Sequence, residues 1–244
     1  MRQLQAARRL IDSASRPVSF SGAGLSAESG IATFRGHDDD ALWNQYDPTQ
    51  LASQQGFSEN PELVIEWYKA RRRTLHAASP NAAHKTLSQQ NNWIHITQNV
   101  DNLLESAGAD PNDVLHLHGS LLRDHCNANC GFTEIISLAD PPDLRQCPKC
   151  HAALRPSVIW FGEPLDDEVF NLAVSHVMAC DLLLVIGTSA QVYPAAGLIE
   201  LADQHDASVV LINTESVKLD SERYAFVQGK ASEVVPLLFN SEPS

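Results

Sequence analysis

VSFSGAGLSAESGIATFRG, residues 18–36, joins a short apolar strand directly to a glycine turn, two serines, a glutamate and an arginine. That is the layout of a backbone cradle for phosphates. Gly22 and Gly24 can take backbone angles closed to other residues and let a ligand approach the main chain, and the N–H groups of the following helix start favour an anion. The pattern departs from the usual dinucleotide fingerprint. Counted from Gly22, the third glycine of G-x-G-x-x-G falls at position 27, where this chain has Ala27, and Gly30 is out of register. On its own the stretch also reads as a tight turn, so a cofactor site has to be argued from the rest of the chain.

Outward from this stretch, apolar strands alternate with helical patterns, which gives an α/β fold. Helices are expected over residues 3–13, 99–106, 194–204 and 231–239, and strands over 18–21, 93–97, 114–117, 181–186 and 207–212. DLLLVI, residues 181–186, reads as a parallel strand buried on both faces. The expected body is a Rossmann-type doubly wound parallel sheet made of residues 1–36, 86–118 and 157–244. A smaller domain is expected from a helical insert at 37–85 and a zinc module at 119–156.

With 43% apolar and 19% charged residues the 244-residue chain has an ordinary globular composition. Its net charge of -13 argues against binding nucleic-acid backbones, which takes clustered lysine and arginine, and favours a basic peptide as partner. No stretch resembles a signal peptide or reaches membrane-spanning length, so no membrane contact and a cytoplasmic location are expected. A compact, bacterial enzyme working as a monomer is the default expectation.

The five cysteines divide into a group of four and a single one. Cys126 and Cys130 form C-x3-C, Cys147 and Cys150 form C-x2-C, and this paired spacing suits tetrahedral thiolate coordination of one structural zinc ion. Spacing does not distinguish zinc from iron at such a site. His125 and His151 flank the quartet and read as solvated neighbours, and Cys180 reads as a buried core thiol.

Three further strand ends carry polar residues of the kind that bind ligands at the carboxyl edge of such a sheet. They are the turn Thr97-Gln98-Asn99-Val100-Asp101-Asn102, the turn Gly187-Thr188-Ser189, and Asn213-Thr214-Glu215. Each alone could be a capping turn; together with the first loop they point to a nucleotide site. In LHLHGS, His116 and His118 project to one face of an extended segment, so a His-x-His metal pair and a catalytic His118 are both open readings.

GAGLSAESGIATFRG, TQNVDNL, LHLHGS, the cysteine quartet, RPSVIWFGE, GTSAQVYPAAG and INTE occur in an order that resembles the sirtuin family, the NAD-dependent protein lysine deacylases. The resemblance implies NAD as co-substrate. It places Ala23, Gly24, Ser26, Glu28, Phe34 and Arg35 in a cofactor-binding loop with Gly22, Gln98 near the nicotinamide ribose, and Asn99 and Asp101 in the nicotinamide pocket. Gly187, Thr188, Ser189, Asn213 and Ala231 are implied as contacts to the rest of the cofactor. His118 is implied as general base, with Asn99 and Asp101 as further catalytic residues, in a reaction yielding nicotinamide, deacylated lysine and 2'-O-acyl-ADP-ribose. Val158, Phe161, Gly162 and Val192 resemble the walls between which an acyl-lysine peptide adds as a strand. Ala32 in place of a usual proline, the C-x3-C pair and His116, where many members have glutamate, are departures.

PELVIEWYKARRRTLH, residues 61–76, reads as a helix with Pro61 near its start and Val64, Trp67, Tyr68, Arg71 and Leu75 on one face. Arg72 and Arg73 read as turned away into solvent. The Tyr68-x-x-Arg71 pair resembles the sirtuin branch that removes succinyl and malonyl groups, a phenol and a guanidinium together binding the acyl carboxylate. An internal ion pair at Arg71 is the plain alternative. The rival activities are a mono-ADP-ribosyltransferase and a non-catalytic sensor of NAD or ADP-ribose.

Overall fold

The computed structural model describes residues 2–31, 47–188, 194–195, 197–215 and 223–239. Along the chain run α1 (Arg2–Asp12), β1 (Pro17–Ser21), two 3-10 turns (Ala23–Leu25 and Ala27–Ser29), α2 (Pro48–Leu51), α3 (Gln54–Glu59), α4 (Pro61–Ala77) and α5 (Ala82–Ser88). There follow β2 (Ile94–Thr97), α6 (Leu103–Ser106), β3 (Val114–His116), β4 (Gly119–Cys126), β5 (Thr133–Ile135) and β6 (Leu154–Val158). The chain closes with α7 (Asp167–Ala179), β7 (Leu182–Ile186), α8 (Gly197–Gln204), β8 (Ser208–Asn213), β9 (Tyr224–Gln228) and α9 (Ala231–Phe239).

Six strands form one sheet in the order β3-β2-β1-β7-β8-β9, all parallel. Renumbered within that sheet the order is 3-2-1-4-5-6, the doubly wound arrangement expected from the sequence. The order of strands reverses between β1 and β7, and this is the switch point beside whose carboxyl edge sheets of this kind place a ligand crevice. The run LLLVI of β7 is fully buried because alternate residues serve opposite faces. Leu182, Leu184 and Ile186 pack with α1, α5 and α9, whereas Leu183 and Val185 pack with α7 and α8.

A second, antiparallel sheet of order β5-β4-β6 packs with α3 and α4 around Phe57, Val64, Trp67, Tyr68, Leu121, Val158 and Trp160. Helix α4 starts where the sequence says it should: the Asn60 side chain accepts from Leu63 N at 3.1 Å, and Pro61 fills the first helical position, where its missing N–H costs nothing.

Arg72 corrects the sequence reading. It is 1% exposed and faces the core, not solvent. Its Nε donates to Leu121 O at 2.9 Å, and its Nη2 pairs with buried Asp124 at 2.6 Å. Asp124 also accepts from Arg145, so the pair ties α4 to the cysteine-bearing β4. The inward face of α4 is wider than the Val64 to Leu75 stripe, and it includes Ile65, Lys69 and Arg72. Arg73 is exposed as expected.

Helix α6 is shorter than the 99–106 expected, because residues 98–102 use their polar groups elsewhere. Gln98 N donates to Ser21 O, Asn99 N donates to Thr97 Oγ1, and Asp101 Oδ1 accepts from Leu103 N, the first residue of the short helix. Among the described residues, no helix is long and apolar enough to cross a membrane.

Candidate active site

The loops at the crevice pack backbone on backbone. A Cβ on Gly24 would stand 2.6 Å from Gly187 Cα, and one on Gly22 would stand 2.9 Å from Thr188 Cβ. Gly22 itself has ordinary extended angles (φ -128, ψ -166), and the left-handed angle belongs to Gly187 (φ 58). The glycines of the first loop are therefore required by close packing against the loop after β7 and not by unusual backbone angles. Across the same junction Thr188 Oγ1 donates to Gln98 Oε1 at 2.8 Å, and Asn213 Nδ2 donates to Thr188 O at 3.1 Å. Glu28 is exposed, and its carboxylate accepts from Ser232 N at 3.4 Å, beside the buried Ala231 that opens α9.

Ser26 is the hub of a buried polar network. Its hydroxyl donates to Asp101 Oδ2 at 2.9 Å and accepts from Asn99 Nδ2 at 3.0 Å. His84 also reaches it, with Nε2 at 3.3 Å. Because His84 Nδ1 accepts from Asn81 N, the proton sits on Nε2 and is donated to Ser26. Asp101, 7% exposed, is pushed up by burial, against hydrogen bonds from Leu103 N and Ser26 that pull it down.

His84 and His95 are held near 4 by burial, so both are neutral in the fold. His95 Nδ1 lies 2.8 Å from Ser19 Oγ across registered positions of β1 and β2. The unfolded chain binds a proton at each imidazole from about pH 6.5 downward and the folded chain does not. Stability is therefore expected to fall continuously as pH drops from about 6.5 towards 4, measured as the urea midpoint. A level midpoint through that window would contradict the neutral network.

His118 is half-buried, and its Nδ1 lies 2.9 Å from Gln98 O. A carbonyl only accepts, so Nδ1 carries the proton and Nε2 keeps its lone pair. Burial lowers the imidazole below its ordinary value despite that hydrogen bond. On the other side, His118 O accepts from Ile159 N at 2.9 Å, which ties the histidine to the segment following β6.

In that segment Val158 is buried, Phe161 is 46% exposed, and Gly162 has φ 84. Phe161 N donates to Ala52 O at 2.9 Å. Beneath it Trp160 is clamped by the Arg155 guanidinium, whose Cζ is 3.8 Å from the ring centroid, and the indole Nε1 donates to Tyr68 Oη at 2.9 Å. Tyr68 is 2% exposed, and burial pushes its phenol up to about 12. Arg71 is half-buried one helical turn further on, its Cζ 4.9 Å from the Trp67 ring centroid. Phe34, Arg35, Ser189, Val192 and Tyr193 lie outside the described residues.

The four sulfurs of Cys126, Cys130, Cys147 and Cys150 lie within 4.8 Å of one another, with Cys126 to Cys150 at 3.3 Å and Cys130 to Cys147 at 3.5 Å. Bonds of about 2.3 Å to a tetrahedral zinc ion separate sulfurs by about 3.8 Å, so the cluster fits one such ion with only small adjustment. A closed four-thiolate shell leaves no position for water, which makes the site structural. His125 is half-buried, with Nδ1 3.3 Å from Ser157 Oγ, whereas His151 is exposed with φ 62. Cys180 is buried, and its thiol is pushed up to about 11 by burial and the charge of Asp181.

Residues 22–194 match the Sir2 family. The chain belongs to the Sir2 family. An NAD-dependent protein deacylase from Mycobacterium leprae is 42% identical over 237 residues, covering 94% of this chain and 98% of the relative. Among solved structures, a Sir2 homologue in complex with NAD aligns with a TM-score of 0.86 at 39% identity, covering 96% of this chain and 92% of that one. Sir2Af2 bound to a myristoylated histone peptide aligns with a TM-score of 0.76 at 28% identity, covering 97% and 94%.

In this Sir2-family fold, sequence reasoning missed His84 and Glu105 as parts of the site, and missed the bond between Trp160 and Tyr68. His84 follows Asn81 by three residues in a capping box, a pattern that announces a helix start and hides the outward reach of Nε2 to Ser26. Glu105 and Trp160 carry no local signal of their partners, His116 and Tyr68, which lie 11 and 92 residues away.

Proposed function

We propose that this Sir2-family chain is an NAD-dependent protein-lysine deacylase that removes succinyl and malonyl groups as well as acetyl. The observation that carries the reaction is His118: a half-buried imidazole with its proton on Nδ1 and a free lone pair on Nε2, on the strand end beside the Gln98–Asp101 turn. Bound NAD would supply a ribose from which nicotinamide departs, and with one water consumed the lysine amine would leave and the acyl group would end on ADP-ribose. Asn99 and Asp101 hold the nicotinamide end, and Ser26 fixes both side chains. Gln98, Thr188 and Asn213 form the adjoining polar wall. His118 Nε2 takes the proton from a ribose hydroxyl, and a lowered imidazole keeps that lone pair available at neutral pH. The substrate peptide adds as a strand along Val158, Phe161 and Gly162, where backbone pairing fixes register with little side-chain preference. Support comes from the deacylase relative and from the NAD and acyl-peptide complexes of its structural neighbours.

The acyl preference rests on Tyr68 and Arg71. A phenol held near 12 stays neutral, and with one lone pair taken by Trp160 it keeps its proton to donate. Arg71 stands close enough for its charge to pull the Tyr68 phenol down against burial. A carboxylate at the end of an acyl chain satisfies both donors. Arg71→Met is expected to lower kcat/KM on a succinyl-lysine peptide by about 10- to 100-fold, the size of a lost charge-assisted hydrogen bond, and on the matched acetyl peptide by less than about threefold. Equal losses on both peptides would assign Arg71 to an internal structural role.

A further inference from the structure

We infer that His116 is a positioning residue for the nicotinamide end of the site: clamped between the Asn99 carbonyl and the Glu105 carboxylate, it fixes the Asn99–Asp101 turn against the edge of the sheet. The inference rests on the proposal that this turn holds NAD.

Ser21, Thr97 and His116 occupy registered positions on β1, β2 and β3 and form a polar row at the end of the sheet. Ser21 Oγ donates to Thr97 Oγ1 at 3.0 Å, and Thr97 Oγ1 accepts from Asn99 N at 3.0 Å. His116 Nδ1 meets Asn99 O at 3.0 Å, and its Nε2 meets Glu105 Oε1 at 2.7 Å. Asn99 is thus held at its N–H by one strand, at its carbonyl by the next, and at its side chain by Ser26. A carbonyl and a carboxylate both only accept, so His116 serves the two together as the doubly protonated imidazolium. Glu105 sits on α6, whose first residue Leu103 donates its N–H to Asp101 Oδ1, and the clamp therefore closes the whole turn from Asn99 to Glu105.

The charges facing His116 agree with this state. Burial pulls the imidazole down, but the hydrogen bond and charge of Glu105, the Asn99 carbonyl and the charge of Asp101 outweigh it and raise it. Glu105 is lowered: burial raises it, and the His116 bond and charge more than reverse that. His84 on α5 and His95 on β2 are neutral, and so is His118 two residues along the chain. The clamp is present below the raised His116 value and is lost as pH rises through it, when an unprotonated Nε2 faces the Glu105 carboxylate.

Two conservative variants separate the ends of the clamp. The amide nitrogen of His116→Asn reaches the place of Nδ1 and keeps a donor to Asn99 O, whereas that of His116→Gln reaches the place of Nε2 and keeps only Glu105. Near neutral pH, His116→Gln is expected to raise KM for NAD about tenfold and His116→Asn by less than about threefold, with KM for the acyl peptide unchanged in both. The clamp predicts that KM for NAD rises on the alkaline side in the unaltered protein; Glu105→Gln offers an amide N–H to a neutral imidazole, so that rise should disappear in the variant. Like effects of the two His116 variants, or an unaltered pH profile in Glu105→Gln, would overturn the inference. Asn99→Ala serves as reference. If it raises KM for NAD while the His116 variants behave alike, the clamp alone falls; if it leaves KM for NAD unchanged, the placement of the cofactor falls and the clamp with it.

Discussion

Replacement of His118 by alanine is expected to lower NAD-dependent deacylation by about 10²- to 10⁴-fold, the usual range for a lost general base. The expectation follows from a specific protonation state. Gln98 O holds the proton on Nδ1, which leaves Nε2 as the basic atom, and burial keeps the ring neutral at the pH where the chemistry has to run. Because the folded value lies below the ordinary histidine value of about 6.5, activity should rise with pH up to that region and then level off. The loss should appear in kcat, with NAD binding largely retained, since the side chains of Asn99, Asp101 and Gln98 proposed to hold the cofactor are bonded by Ser26 and Thr188, and His118 reaches only the Gln98 carbonyl. A variant that keeps more than about a tenth of wild-type kcat would remove His118 from the base role.

Arg72→Met is expected to destabilise the fold by about 3–5 kcal/mol, because it leaves the Asp124 carboxylate buried with one of its two cations gone. In a chain of this length that corresponds to a fall of roughly 6–20 °C in Tm. The neighbouring Arg73→Met, at an exposed position, should stay within about 0.5 kcal/mol. Two backbone carbonyls, Leu121 O and Arg123 O, also lose their guanidinium donor, so the change cannot be absorbed by a local shift of Asp124. Arg72 lies on the same helix as Tyr68 and Arg71, and Asp124 is two residues from Cys126, so the pair joins the helix proposed to recognise the acyl group to the cysteine-bearing strand. A Tm equal to that of Arg73→Met would contradict this account. Thermal melts of the two variants decide it.

The large sheet was legible because its signals are local. A fully apolar run such as LLLVI, too short for a buried helix and bounded by Asp181 and Gly187, reads as a buried parallel strand. Strand β9, YAFVQ, was not read: it is an edge strand of the sheet with a mixed burial pattern, and its short alternation competes with a loop reading. The cysteine quartet was legible for the same reason as β7, since ligand spacing is written within short turns. Arg72 was misread because helical spacing gives the angle between residues but not the width of the buried face, and a buried guanidinium is intelligible only once Asp124 is seen across from it. Of the two reasons the sequence offered for the glycines of the first loop, unusual angles and close approach of a ligand, the structure removes the first for Gly22 and adds a third, backbone packing against Gly187. His84, Glu105 and Trp160 depend on pairings across distant segments, for which a sequence carries no periodicity.

The measurement that tests the central claim most directly is simultaneous mass-spectrometric counting of nicotinamide and deacylated lysine, with NAD and matched acetyl- and succinyl-lysine peptides. The account predicts one nicotinamide for each lysine released, one acyl-ADP-ribose formed with it, no turnover without NAD, and faster loss of succinyl than of acetyl. Nicotinamide released with ADP-ribose attached to protein, or lysine released without NAD, would contradict it.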